Sequence, residues 1–537
     1  KRVFTSLFAI LILLFANAQS IGIGTTAPNN SAALDITTAG KGLLIPRMTS
    51  ANIISIANPA KGLMVYDSVK NQLLVNMGTA AAPSWQNIIA TSGWGLNGNS
   101  GTNPANNFIG TTDNQPLFFR LNNQWSGMMD SVSASIYVGY GAGKNFAPVA
   151  GAGNAAIGFK ALYSNTSGYG NTAYGWSALF SNTFASNNTA TGFAALKSNT
   201  SGYSNTAIGS YALINNSTGL GNTATGSQAL TSNITGDLNT AVGTNALVFN
   251  STGSYNTAVG NSALGNNTTG VSNTAVGNDA LFRSTTGIYN TSTGMYSLFN
   301  NDAGNYNTAT GFEALNANIA GEGNTATGYD ALYATTNSFY NTAVGFRAGK
   351  FYDNGYNNVF LGANVDVNGA GYYNVIAIGQ GTICTGSSQV TIGNGATGSY
   401  RAYANWSNIS DGRFKKNIQE NVPGLDFITQ LRPVTYNLNA TGLDAFLHKN
   451  DKDTPRVNDK KTTTSGDAPR AAYNKALKEK ETAVYTGFVA QEVETTAKKL
   501  GFNFSGVDAP NNENDVYGLR YAEFVVPLVK AMQEQQQ

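Results

Sequence analysis

The sequence predicts a mainly β protein built on a parallel β-solenoid, followed by an α+β C-terminal region that ends in a helix. Three observations carry that reading. A seventeen-residue unit repeats without insertion through the middle of the chain, charged residues make up only 11% of 537 positions, and charge returns with helical patterning after residue 400. The chain is too long for one ordinary domain, and its charge content is under half the globular norm. Hydrophobic residues at 42%, with 26 Tyr and 26 Phe, supply enough to bury, so order is expected despite 61 Gly. A net charge of +2 gives no field to gather nucleic acid or an anionic membrane, and neither is expected as a partner.

We expect four parts: residues 1–18, 19–134, 135–400 and 401–537. The first reads KRVFTSLFAILILLFANA, with basic Lys1 and Arg2, an apolar run from Val3 to Phe15, and the small-x-small Ala16, Asn17, Ala18. That is the pattern of a signal peptide, with the mature chain beginning near Gln19 and the protein secreted or held at the cell surface. The apolar run is too short for a bilayer core of about 30 Å, so no membrane span is expected once the leader is removed. Cys384, the single cysteine, has no partner for a disulfide within the chain and is read as buried.

Residues 19–134 are read as a β-rich cap or base, because IGIGTTAPNNSAALDI and KGLMVYDSVKNQLLVNMG alternate apolar and polar residues between turn signals. Trp94, Phe118 and Phe119 are expected in its core. This stretch is similar to the leader regions of secreted fibre-like bacterial proteins.

Asn then recurs at 154, 171, 188, 205 and onward to 358, thirteen copies at a constant spacing of seventeen. Gly follows four residues later in each, and Leu eight residues later from Leu162 to Leu332. Such a period means one coil per repeat. Seventeen residues suit two short strands and two turns. The third position after the Asn carries Ile157, Ile208, Val242, Val259, Val276, Val344 and several Thr, the β-branched set of a strand. The Asn residues should stack in a ladder, and the Gly near the fourteenth position should supply the positive φ of a turn. At about 4.8 Å per strand, thirteen coils make a rod roughly 60 Å long. Glycines spaced by seventeen up to Gly379 and by fourteen to Gly393 predict a taper at its end.

The repeats resemble, in lengthened form, the head repeats of trimeric autotransporter adhesins, which implies a homotrimer. The C-terminal stretch carries a second resemblance. SDGRFKKNI (410–418), LDFITQLRPVTYNL (425–438), YTGFVAQEVE (485–494) and YGLRYAEFVVPLVKAMQE (517–534) occur in the order of the intramolecular chaperone domain of phage endosialidases and tail fibres. That resemblance implies a domain that trimerises, guides folding of the shaft, and cuts itself off with a serine and lysine pair. The pair falls on Ser410 and Lys415, with Asp411, Arg413 and Asn417 as supporting motif residues and the bond from Ile409 to Ser410 as the cleavage site. The sequence holds no paired Cys and no His cluster, and no metal or cofactor is expected.

The residues are consistent with that chemistry. His448 is the only histidine and sits in a charged stretch read as loop, so an imidazole-based serine hydrolase has no base. Lysine can take that role where burial or a neighbouring cation such as Arg413 or Lys416 favours its neutral form, and a trimer interface would supply the burial. An uncleaved domain, with Ser410 capping a turn and Lys415 and Lys416 on a solvated face, stays open as the alternative.

Asn421 and Pro423 should open a helix bearing Leu425, Ile428 and Leu431. Phe524 or Val525, Leu528, Met532 and Gln535 form the stripe of a terminal coiled-coil helix. Lys449 to Glu481 reads as a solvated insertion and not a binding patch. GYGAGKN at 139–145 lacks the spacing of a phosphate-binding loop and belongs to the repeat.

Three functions are therefore compared. The favoured one is a secreted homotrimeric fibre or adhesin with a self-processing chaperone, its ligands to be sought among cell-surface or host glycans. The others are a polysaccharide-binding or polysaccharide-degrading solenoid, for which no carboxylate pair is visible in the sequence, and a tail fibre proper, against which the leader argues.

Overall fold

The computed structural model describes residues 20–88, 98, 102–103, 105–147, 153–404, 406–449 and 467–537; of residues 467–470 it describes the backbone alone. The leader and Trp94 lie outside the described residues. The chain divides into two compact units, residues 1–110 and 111–537.

The first unit is made of short strands. Ile21–Ile23 pairs in parallel with Leu34–Ile36, and Arg47–Met48, Met64–Asp67, Gln72–Asn76 and Trp85–Asn87 form a separate sheet in that order. Ile53 and Val65 are its buried large hydrophobics among the described residues, while Ile21, Ile23, Leu34, Leu43 and Leu44 face outward. So small a core leaves much apolar surface to be covered.

The second unit is dominated by the solenoid. Strands of three residues, one per coil, pair in parallel with register kept at seventeen from Ala155–Ile157 to Val359–Leu361. Ser135–Val138 extends this ladder at one end and Ile376–Ile378 and Val390–Ile392 at the other. The last step pairs Ile376 with Val390, the predicted shortening to fourteen residues. Mainly β, parallel and solenoidal is thus the observed architecture.

Each coil differs from expectation on its second side. Between Asn154 and Leu361 that side holds no strand; instead the residues six and eight positions after each Asn, such as Ser262 and Leu264, have φ near +50°. Two left-handed residues so close cannot lie in a pleated strand. The Leu side chains they turn inward are fully buried with Ala at positions two and seven, as in Ala258, Ala263 and Leu264. Each such Leu contributes about 1.5–3 kcal/mol by burial.

The asparagine ladder is present and is double. Asn188 accepts the backbone N–H of Asn205 on its Oδ1 (2.9 Å) while its Nδ2 donates to the Gly202 carbonyl (3.0 Å). A second column, Asn165, Asn182, Asn199 and onward, links Nδ2 to Oδ1 from one coil to the next at about the same separation, 2.9 Å for Asn182 to Asn165. Both columns are buried, and the bonds satisfy groups that would otherwise be stranded in the core, save Oδ1 of Asn267 and of Asn318, where Ser284 and Thr335 interrupt the second column. The glycine at position fourteen plays a different part from the one predicted. Gly236 lacks a positive φ; a Cβ there would lie 2.3 Å from the Gly253 carbonyl oxygen and 2.4 Å from Asn233 Oδ1. Close approach of the next coil, not turn geometry, keeps this position small: from residue 168 to 355 it is Gly in most coils, with Ala185 and Ser338 as the exceptions.

After residue 400 the chain forms an α+β region. Its core gathers Phe427, Val493, Ala497, Phe504 and Phe524. Helix Leu425–Ile428 buries Phe427 more fully than the expected Ile428 and Leu431, and its first N–H is held by Glu534 Oε2 (2.7 Å) rather than by Asn421. Strand Val434–Asn437 pairs antiparallel with Val484–Gly487.

The expected solvated insertion is in part a docking element. In helix Asp467–Thr482, Leu477 is buried and Lys480 Nζ donates to the carbonyls of Gly395 and Thr397, both at 3.1 Å, at the end of the shaft. Residues 450–466 lie outside the described residues. Phe118 and Phe119, expected in a core, are exposed, with Phe118 edge-on to Trp125. Cys384 is buried as expected, and burial pushes its thiol up to about 11.

Candidate functional site

Residues 406–411 have no regular structure, and the chain then makes one tight 3-10 turn, Gly412–Phe414. Asp411 builds that turn. Its Oδ1 accepts the backbone N–H of Arg413 (2.9 Å), and its carboxylate also takes the Arg413 guanidinium, with Nε 2.9 Å and NH2 2.5 Å from Oδ2. A carboxylate that caps an N-terminus and pairs with a fork of donors is held doubly. The Arg413 side-chain bond, and then its backbone N–H, keep the Asp411 carboxyl below the usual range.

Beyond the turn Lys415 is extended, at φ −90° and ψ 131°. Its Nζ reaches back to Ser410 Oγ at 2.7 Å. Serine and lysine five residues apart are thus in hydrogen-bond contact because the turn between them is locked. Asn417 takes φ +53°, a left-handed conformation that asparagine tolerates better than most residues.

The structure brings together Ser410, Asp411, Arg413 and Lys415; Asn417 ends the segment without a described side-chain bond to them. The pair and the preceding bond lie in the open. Ser410 and Lys415 are exposed, and Ile409 is 97% exposed. Tyr403, Trp406, Phe414 and Ile418 flank them, each more than three-quarters exposed. Sequence reasoning passed over these apolar side chains, although their crowding in an otherwise polar segment was the available signal.

His448 is engaged elsewhere. It caps helix Ala440–Leu447, with Nδ1 2.9 Å from the Asp444 carbonyl oxygen and Nε2 3.2 Å from that of Gly381 on the shaft. One carboxylate pair hidden in the sequence does form across coils. Glu313 lies against Asp330, and burial, then Asp330, raises its carboxyl. Asp330 is already bridged to Lys350 at 3.0 Å, which makes the cluster an internal ion pair.

Family comparison separates the two ends of the chain. Residues 410–502 match the family model of the chaperone of endosialidase. The match begins on Ser410, the first residue of the locked turn. Residues 22–103 match the model of a phage tail-like trimerisation region, which the sequence reading had taken only as a β-rich base. Ile23, Leu34, Leu43 and Leu44 within the matched residues face outward. No curated protein matches the chain. The two matches support a trimeric, tail-fibre-like protein with an intramolecular chaperone at its C-terminal end. Among the described residues no helix is long and apolar enough to cross a membrane.

Proposed function

We propose that this chain is an exported homotrimeric fibre whose C-terminal segment, from Ser410 onward, directs assembly and then severs itself between Ile409 and Ser410. The 2.7 Å contact between Lys415 Nζ and Ser410 Oγ carries the reading. Export rests on the leader pattern of residues 1–18. The terminal helix Val525–Gln536 supports assembly, since Val525, Leu528, Val529 and Met532 are exposed and form the stripe of an interchain coiled coil.

The reaction is a single turnover. Neutral Lys415 takes the proton of Ser410 Oγ, and the oxygen attacks the Ile409 carbonyl carbon, a group already joined to it through the Ser410 nitrogen. Five atoms close the ring, so little orientational entropy is lost. The C–N bond breaks as lysine returns the proton to the departing nitrogen, leaving an ester of Ile409 on Ser410. Water hydrolyses that ester, and the products are an Ile409 carboxylate and a chain with a free Ser410 amine. Exposed Trp406, Ile409 and Phe414 are the surface that neighbouring copies cover, and that cover would favour the neutral lysine.

Mass analysis of the secreted protein tests the proposal. A shaft ending at Ile409 and a fragment beginning SDGRFKKNIQ are expected; intact chains, or cleavage at another bond, overturn the self-cleavage. A chain synthesised without residues 410–537 should fail to yield soluble trimers, because non-local pairing in three chains is slow and leaves strand edges exposed. Soluble trimers formed equally well without that segment overturn the chaperone role.

A further inference from the structure

The outward side of the strand ladder is free of charge along its whole length. In each three-residue strand the middle residue is buried and the two flanking ones face out, as in Thr257–Val259. From Asn154 to Gly362 the outward positions are Thr, Val, Ile, Leu, Ala or Tyr. Charged residues of the same stretch stand six or more positions after the coil's Asn, at Lys160, Lys197, Asp237, Arg283, Glu313 and Asp353 among others. The aliphatic residues on this side, Ile157, Ile208, Val242, Val259, Val276, Val344 and Leu361, are 37 to 46% exposed. At about 4.8 Å per coil the uncharged column from Ile157 to Leu361, in which Thr191, Thr225, Thr293, Thr310 and Thr327 are interspersed with these apolar residues, runs roughly 60 Å. An uncharged β face of that length left in water is a site for association.

We infer that this face, the column from Ile157 through Val259 and Val276 to Leu361, is the surface by which the shaft packs against a second copy of the same chain. The inference rests on the trimeric reading above. Matches to a trimerisation region on one side of the shaft in sequence and to an assembly chaperone on the other hold copies side by side. Each copy then offers the same columns around a common axis, as a closed ring requires. Uncharged columns meet their own kind without like-charge repulsion. Half-exposed β-branched side chains also interdigitate between sheets about 10 Å apart.

A sugar chain fits the same border less well. Its aromatic residues stack on each other along the rod, Phe159 on Trp176 (5.9 Å), Trp176 on Phe193 (4.7 Å) and Phe312 on Tyr329 (5.2 Å), all nearly parallel. The faces that these rings turn to each other are not open to a sugar.

Single added cysteines, in the full chain with Cys384 replaced by Ser, test the inference. Val259→Cys lies on the uncharged face. Phe249→Cys lies in the column that holds Arg283 and is the control, since that position is exposed and already tolerates charge. Sedimentation of each variant fixes the number of copies first. In a trimer, a short bismaleimide should join chains through Val259→Cys and not through Phe249→Cys. A bulky maleimide should label Val259→Cys at least about tenfold more slowly, because it reaches a covered residue only by local opening. A trimer in which Val259→Cys labels as fast as Phe249→Cys, or in which only Phe249→Cys crosslinks, overturns this inference and leaves the trimeric reading intact. In that case the face is open to another protein or a glycan. A monomeric chain overturns both.

Discussion

Lys415 Nζ lies 2.7 Å from Ser410 Oγ across a turn that Asp411 caps. An ammonium donates that bond and a neutral amine accepts it; only the second arrangement makes the serine a nucleophile. Ser410→Ala should therefore abolish the fragment that begins SDGRFKKNIQ while leaving assembly unchanged, because the interface does not depend on the hydroxyl. Lys415→Ala should do the same. Lys416→Ala should cleave at a rate close to the unsubstituted chain, since a residue following an extended Lys415 projects to the other side. N-terminal sequencing of the fragment and a time course of cleavage check all three. Fragment formation that persists in Ser410→Ala, or fails equally in Lys416→Ala, would remove the assigned roles.

Asp411 and Arg413 hold the turn and touch neither reacting atom, so their loss should slow cleavage without stopping it. A lost cap of about 0.5–2 kcal/mol corresponds to a rate lower by roughly two- to thirty-fold for Asp411→Ala. Asp411→Asn keeps an acceptor for the Arg413 N–H and should recover part of the rate, a rescue that a purely electrostatic role would not give. Because Arg413 depresses the Asp411 carboxyl, the clamp is complete above the ordinary carboxylate value of about 3.9 and is lost only as pH falls through the lower folded value. Any change of rate near neutral pH belongs to another group, which a pH profile of Asp411→Asn would show by keeping its shape.

The buried ladder gives a prediction for the shaft. Asn222 Oδ1 accepts the N–H of Asn239 (3.0 Å), and its Nδ2 donates to the Gly236 carbonyl (2.8 Å). Asn222→Leu strands both groups in the core, at about 1–3 kcal/mol each. Gly236→Val should be at least as damaging, because a Cβ there already lies 2.3 Å from the Gly253 carbonyl oxygen and from residue 168 to 338 this position holds only Gly, Ala185 and Ser338. In a structure where each coil touches only its neighbours, the loss should be local. Hydrogen exchange should rise around residues 205–256 and stay low near residue 330. A uniform rise, or none, would contradict the ladder's part in stability.

The repeat was legible because the buried positions are strict: Asn, Ala, Gly and Leu recur at fixed places, and each proves to be buried or tightly approached. The second side of the coil was not legible. Position six after each Asn takes φ near +50° with Lys160, Ser177, Tyr211 or Glu313, so no residue type announces the left-handed turn. Hydrogen bonds to the preceding coil impose it, as where the Ser177 N–H donates to the Phe159 carbonyl (2.9 Å). The site was legible as a motif, since Ser410, Asp411, Arg413 and Lys415 fall within six residues. Its exposure was not, because Trp406 and Ile409 read as ordinary core formers until their surroundings are known. Helix Asp467–Thr482 misled for the opposite reason: a strongly charged composition hid Leu477 and Lys480, which dock on the shaft.

That docking yields the last prediction, which concerns His448. Bonds from three places hold the C-terminal region to the end of the shaft: Lys480 to Gly395 and Thr397, Asn512 Nδ2 to the Thr385 carbonyl (3.0 Å), and His448 Nε2 to the Gly381 carbonyl (3.2 Å). Burial alone would push the imidazole down, but the hydrogen bonds and charge of Asp444 outweigh it and hold His448 above the usual histidine range. Asp444 also accepts from Tyr473, and Arg347 and Asp366 line the cavity beside the ring. A protonated ring can donate from both nitrogens, to Asp444 and to Gly381; a neutral ring can donate from one. The contribution is therefore full below the unfolded value of about 6.5 and is lost as pH rises through the higher folded one. Raising pH through that range should loosen the contact, seen as faster hydrogen exchange at residues 379–383 and 440–448, with Lys480 and Asn512 still holding. His448→Gln should flatten that dependence, since its amide does not titrate. If exchange there is unchanged with pH in the unsubstituted chain, or changes equally in His448→Gln, the histidine does not govern how tightly the C-terminal region stays on the shaft.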